Sequence, residues 1–90
     1  MPNPIVIGLG WYTEEQWPEY LRLMEDDVDE VHAVWLKKAL DLEKMMKKEG
    51  FVVVRVPVDL GEFELWCKAR QRKKDGASRA EYVQRKSNQK

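Results

Sequence analysis

Few side chains in this sequence could do covalent chemistry. Cys67 is the only cysteine and His32 the only histidine, so they are the only candidates for a thiol nucleophile and an imidazole base. Cys67 follows Trp66 on the apolar side of a predicted helix, where a structural thiol is expected. His32 follows Asp29 by three residues, but a single Asp-x-x-His pair lacks the further ligands of a metal centre. We therefore expect no catalytic residue, no cofactor and no metal site.

Phosphate binding is a second possible function. The net charge of the chain is zero, but the positive charges are concentrated in its C-terminal segment. Residues 65–90 carry nine Lys and Arg against two Asp and Glu, whereas residues 1–64 carry seven against fourteen. A nucleic-acid backbone would be contacted by the cations of segment 68–86, which are Lys68, Arg70, Arg72, Lys73, Lys74, Arg79, Arg85 and Lys86. No helix-turn-helix, zinc-finger or base-stacking signature accompanies them.

Five carboxylates crowd the six positions from Glu25 to Glu30. A calcium loop has a different spacing and a glycine at its turn, so this cluster does not predict a metal site. Acidic side chains are favourable at the start of a helix, where free N–H groups and the helix dipole attract negative charge. We expect the cluster to cap the helix that follows.

Two stretches, residues 5–11 and 51–58, predict the strands that would position these groups. In the second, alternation separates an all-valine face (Val52, Val54, Val56, Val58) from a mixed face (Phe51, Val53, Arg55, Pro57). We expect the chain's own helices, including the longest, to cover the valine face, and we find no cover for the mixed face. Gly8 and Gly10 share a face of the first strand, which predicts close approach of another backbone or ring.

Capping boxes predict the starts of three helices. The paired residues are Thr13 with Gln16, Asp59 with Glu62, and Ser78 with Glu81. The longest helix is expected over residues 28–48, where an apolar stripe is wide enough to suggest contacts beyond a small sheet. Residues 1–86 are predicted to form one compact domain, followed by a frayed basic tail over residues 87–90.

The resulting order, β-α-α-β-α-α, predicts an α/β fold with two parallel strands and helices packed on the sheet. Two strands leave both sheet edges open. A homodimer is therefore expected to complete the fold, joined at a sheet edge, at the open sheet face or along the long helix.

Parallel strands also bring their carboxyl ends to one edge of the sheet, where ligands of open α/β folds bind. The candidate ligand or partner corner is formed by Trp11, Tyr12, Trp17, Asp59 and Trp66. Aromatic side chains at these spacings more often form a core than a pocket, so the ligand corner is the less favoured of the two interpretations.

Several anchors occur in a fixed order: WYTEEQW at 11–17, Trp35-Leu36, V-x-V-x-V-D ending at Asp59, Trp66-Cys67 and ASRAEYV at 77–83. They resemble a family of short, uncharacterised bacterial proteins over nearly the whole chain. The resemblance implies a bacterial, cytoplasmic protein and brings no established activity, cofactor or catalytic residue.

These observations favour a non-catalytic interaction or assembly module, a homodimer that binds an unidentified protein partner. The alternative is a nucleic-acid-binding accessory protein that uses segment 68–86. A single cysteine fits a reducing cytoplasm. The longest apolar run, residues 5–12, is far shorter than the roughly 20 residues of a membrane span, and the first residues lack the basic region of a secretory signal.

Overall fold

The computed structural model describes residues 4–88 and has the predicted order of elements. The elements are β1 (Val6–Trp11), α1 (Trp17–Leu23), α2 (His32–Lys48), β2 (Val52–Pro57), α3 (Leu60–Ala69) and α4 (Gly76–Ser87). The strands form a parallel two-stranded sheet in which Gly8 lies opposite Val54 and Trp11 opposite Pro57. The predicted α/β fold with two parallel strands is thus confirmed. None of the described helices is long and apolar enough to cross a membrane.

Helix α4 packs on the glycine face of β1. A Cβ atom at Gly8 would lie 2.8 Å from Cβ of Ser87, and one at Gly10 would lie 3.0 Å from Cγ2 of Val83. The first distance is too short for a Cβ atom, and the second would require Val83 to shift, so the glycines allow α4 to approach the strand. The predicted close approach is confirmed, and its partner is a helix.

Helix α2 lies on the other side of the sheet, against the mixed face. The Glu43 carboxylate accepts hydrogen bonds from Nε and Nη2 of Arg55 at 2.7 and 2.9 Å. The ring of Trp35 meets Trp11 edge-on with centroids 5.4 Å apart. The expectation that the long helix covers the valine face is therefore wrong. Helix α2 instead covers the mixed face, for which we had predicted no covering helix. The molecule has three layers, with α2 on one face and α3 and α4 on the other.

The valine face is buried at only one end. Val56 and Val58 belong to the core, whereas Val52 and Val54 are 43% and 39% exposed. Helix α3 begins just after β2, so it covers the carboxyl end of the strand and not its start. The remaining core residues gather at the same end of the sheet and include Tyr12, Leu60, Phe63, Cys67, Tyr82 and Val83.

Of the capping boxes predicted for α1 and α3, only the second marks the start of its helix. The Thr13 and Gln16 box forms in both directions, at 2.8 and 3.1 Å, but it closes a turn, and α1 starts only at Trp17. Pro18 then falls in the first turn of α1, where its missing N–H would have had no partner in any case. The Asp59 carboxylate accepts from the Glu62 N–H at 3.0 Å, so the predicted N-cap of α3 is confirmed.

Two boundaries of α4 differ from the expectation. The carboxylate of Asp75 accepts from the Ser78 N–H at 3.0 Å, so Asp75 is the N-cap and α4 starts at Gly76, before the predicted Ser78 box. The helix also continues through Ser87, with Asn88 as its C-cap, so these two residues of the predicted tail extend the fold. The rest of the tail, residues 89–90, lies outside the described residues.

Candidate functional site

The structure separates the five residues of the predicted corner. Trp11, Tyr12 and Trp17 join one aromatic cluster, which also contains Tyr20, His32 and Trp35. Asp59 is the N-cap of α3. Trp66 packs in a second group against Phe63 and Tyr82. The corner therefore supplies three members of one cluster and not a five-residue site.

The aromatic cluster occupies the carboxyl end of the sheet with side chains that pack against one another. Trp17 stacks on Tyr20 with centroids 4.3 Å apart, and Tyr12 meets Tyr20 edge-on at 4.7 Å. All three side chains are buried, and burial raises the pKa of the Tyr12 and Tyr20 hydroxyls. Nε1 of Trp17 donates to the Asp29 carbonyl oxygen at 3.1 Å. These contacts give the cluster the character of a core.

A cavity of about 580 Å³ lies along the outer edge of β1, and we call it the edge groove. Its floor is β1 at Gly8 and Gly10, and its two walls come from α2 and α4. The lining residues are Gly8, Leu9, Gly10, Tyr12, Trp17, Tyr20, Asp27, Val28, Asp29, Trp35, Lys38, Ala39, Leu42, Arg79, Ala80 and Val83. Its mixture of apolar walls and a few polar groups is typical of binding clefts.

The backbone edge of β1 is partly closed by α4. The Ile5 and Trp11 carbonyls accept hydrogen bonds from the N–H groups of Val52 and Val58 at 3.0 and 3.3 Å, so the even-numbered peptide groups of β1 point outward. The Gln84 side chain accepts from the Gly8 N–H at 3.2 Å and donates to the Val6 carbonyl at 3.3 Å. A side-chain amide thus occupies one pair of positions that a third strand would use.

Helix α2 leaves an apolar strip exposed beside the edge groove. Of its 17 residues only Glu43 is buried. Val31, Val34, Leu42 and Met45 are 56%, 46%, 37% and 54% exposed, and we call these four residues the α2 flank. The helical spacing of Val34, Leu42 and Met45 places them on the side of α2 that borders the groove, to which Leu42 itself contributes, and Val31 is the N-cap residue of the helix.

Most cations of segment 68–86 pair with carboxylates of the fold. The pairs are Arg72 with Glu81, Lys74 with Glu25 at 3.4 Å, Arg79 with Asp26 at 2.8 Å, Arg85 with Glu81 at 3.2 Å, and Lys86 with Glu62. Three of the predicted nucleic-acid contacts, Lys68, Arg70 and Lys73, do not take part in these pairs. The basic end therefore neutralises much of the acidic body within the chain.

The acidic cluster before α2 supplies three carboxylates to such tertiary contacts. Hydrogen bonds from Arg79 hold the pKa of the Asp26 carboxyl below its usual value, and the Lys74 backbone N–H does the same for Glu25. Asp29 pairs with Lys38 at 2.8 Å. The N-cap of α2 is Val31, without a side-chain cap, and no acid lies in the first turn. The expectation that the cluster caps this helix is therefore wrong, because long-range partners use the acids instead.

Trp66 borders a smaller cavity of about 430 Å³. The Arg70 guanidinium lies over the Trp66 ring at 4.6 Å from its centroid. The other lining residues are Glu62, Tyr82, Arg85, Lys86 and Asn88. The Tyr82 hydroxyl donates to Glu62 at 2.8 Å. The cavity therefore contains several cations and one carboxylate, Glu62, which already has a hydrogen-bond partner.

The thiol and the imidazole have separate surroundings. Cys67 is buried, its Sγ lies 3.9 Å from the Lys73 carbonyl oxygen, and burial raises the pKa of the thiol. His32 Nε2 lies 2.8 Å from the Tyr12 carbonyl oxygen. A thiol with a raised pKa is a poor nucleophile at neutral pH. Within residues 4–88, no three His, Cys, Asp or Glu side chains form a group that could hold a metal ion.

Comparison with protein-family models, with curated proteins and with solved structures finds no match to this chain. The resemblance to a bacterial family therefore stays a prediction.

Sequence patterns missed the edge groove, because its α4 wall, including Ala80 and Val83, reaches β1 through packing between distant segments. Gly8 and Gly10 were the available signal, since they marked the strand face on which another element had to lie.

Proposed function

We propose that the protein is a small, non-catalytic assembly module that functions as a homodimer and offers the α2 flank and the edge groove as contact surfaces. The single observation that carries this proposal is the exposure of α2, in which one residue of 17 is buried. A helix of a monomeric domain normally buries an apolar stripe against its own core. Here the stripe is apolar, but much of it faces outward.

The exposed apolar surface is large enough to matter for association. Val31, Val34 and Met45 each keep about half of their surface exposed. Complete burial of such a side chain contributes about 1.5–3 kcal/mol, so covering the exposed parts in two copies supplies several kcal/mol.

The alternative nucleic-acid function receives less support from the charges. Five of its eight predicted contacts, Arg72, Lys74, Arg79, Arg85 and Lys86, are paired with carboxylates. A phosphate backbone would have to compete with those carboxylates, and only unpaired cations would add counterion-dependent affinity at no such cost.

Sedimentation of the unmodified protein tests the assembly function. As the concentration rises from about 1 to about 100 µM, mass action predicts that the mean mass increases from 10.7 kDa towards twice that value. A constant mass of 10.7 kDa over the whole range would contradict the proposal.

A further inference from the structure

We propose that two copies pair through the α2 flank, with the α2 helices antiparallel about a two-fold axis near Lys38. This inference rests on the proposed assembly function and adds the occupant of the surface, which is a second copy of the chain, and its orientation.

The positions of the α2 flank residues along the sequence are symmetric about Lys38. Val31 and Met45 lie seven residues to either side of Lys38, and Val34 and Leu42 lie four residues to either side. An antiparallel copy centred on Lys38 therefore sets Val31 against Met45 and Val34 against Leu42, as a two-fold interface requires. The resulting apolar strip is roughly 20 Å long at 1.5 Å per residue.

Lys38 itself stands at the centre of this strip without adding a free charge. Its Nζ lies 2.8 Å from Oδ1 of Asp29 in the same chain. Each ammonium group near the axis is therefore already paired with a carboxylate. The aliphatic part of the lysine side chain can pack between the apolar residues while the paired head stays at the surface.

The two ends of α2 carry opposite charges. Asp27 and Glu30 are exposed just before the helix. Lys44 and Lys48 are exposed near its end, where one exposed acid, Glu49, follows them. None of these five takes part in the ion pairs found within residues 4–88. An antiparallel pair places the acidic start of one helix beside the basic end of the other, twice in each dimer, whereas a parallel pair would set like charges together.

The outer edge of β1 is a poorer surface for a second copy. Gln84 already occupies the Gly8 N–H and the Val6 carbonyl, so an added strand would first have to displace this side chain. The α2 flank requires no such rearrangement, because its side chains are exposed in the free chain.

Charge reversal tests the pairing and its direction. One variant carries Lys44→Glu and Lys48→Glu, and the other carries Asp27→Lys and Glu30→Lys. Each variant alone sets like charges together at both ends, so we expect its dissociation constant in sedimentation to rise at least tenfold. An equal mixture restores opposite charges at both ends, so a heterodimer of near-normal affinity is expected, and high salt should weaken it.

The outcomes separate this inference from the function on which it rests. Variants that dimerise alone as well as the unmodified protein, or a mixture that stays monomeric, would overturn the antiparallel α2 interface while leaving assembly intact. An unmodified protein that stays monomeric would overturn the assembly function as well. If a double variant loses its helical circular dichroism, the single changes Lys48→Glu and Glu30→Lys make the same comparison.

Discussion

At the scale of single residues, a bidentate ion pair joins Asp26 before α2 to Arg79 on α4. Nη1 and Nη2 of Arg79 donate to Oδ1 and Oδ2 of Asp26, both at 2.8 Å, and Nη1 also contacts Sδ of Met24 at 3.3 Å. The pair is only partly exposed, with 17% of the Arg79 side chain and 30% of the Asp26 side chain accessible. Such a pair is worth more than an exposed one, because solvent screens it less.

The lowered pKa of Asp26 predicts how stability changes with pH. A carboxyl whose pKa is lower in the folded state stabilises that state above its unfolded pKa of about 4 and loses this contribution as the pH falls through the folded value. Asp26→Asn should therefore lower the free energy of unfolding by about 1–2 kcal/mol at pH 7 and by less near pH 2. Urea unfolding at both pH values measures the difference.

The exposed pair of Lys37 and Asp41 provides the matched control. Their side chains are 80% and 69% exposed, so Asp41→Asn should change the free energy of unfolding by less than about 0.5 kcal/mol at either pH. Equal losses for the two variants, or a loss in Asp26→Asn that does not depend on pH, would rule out a special contribution from the Asp26 carboxylate.

At the scale of elements, the contact between β1 and α4 depends on the absence of a side chain at Gly8. A Cβ atom there would lie 2.8 Å from Cβ of Ser87 and 3.2 Å from the Val83 carbonyl oxygen. Because the second neighbour is backbone, α4 itself would have to move. The same displacement would pull Gln84 away from the edge of β1.

Gly8→Ala should therefore destabilise the fold by about 1–3 kcal/mol, as overpacking does elsewhere. Gly61→Ala is the matched control. Gly61 lies in α3, where an added Cβ atom would come no closer than 3.4 Å to Asp59 Oδ1. Alanine should stabilise that helix by about 0.5–1 kcal/mol. Thermal unfolding would contradict this account if both alanine variants gained stability.

Local rules predicted the elements better than their arrangement. The glycine face of β1 and the Asp59 cap could be inferred from short-range patterns, because each depends on a few neighbouring residues. The parallel pairing of the strands followed from the order of the elements. The start of α2 could not be inferred, since Asp26 and Glu25 bind Arg79 and Lys74 about fifty residues away. The side of the sheet covered by α2 was also missed, because the Glu43 and Arg55 pair that holds it there is a tertiary contact.

At the scale of the whole molecule, the two helical layers differ in how well they are packed. Helices α3 and α4 bury Phe63, Cys67 and Tyr82 against the carboxyl end of the sheet, whereas α2 buries only Glu43. A 90-residue chain has a small core and gains from association. The more weakly buried layer, with the exposed α2 flank, is where that association is expected.

The most direct measurement is sedimentation of the double variant Val34→Glu/Met45→Glu beside Leu65→Glu. Leu65 is the most exposed large apolar side chain among the described residues, at 68%, and lies on α3, so Leu65→Glu matches the chemistry of the change away from α2. At about 100 µM we expect the double variant to remain at 10.7 kDa while Leu65→Glu dimerises like the unmodified protein. A double variant that keeps its fold and dimerises as the unmodified protein does would contradict the role of the α2 flank.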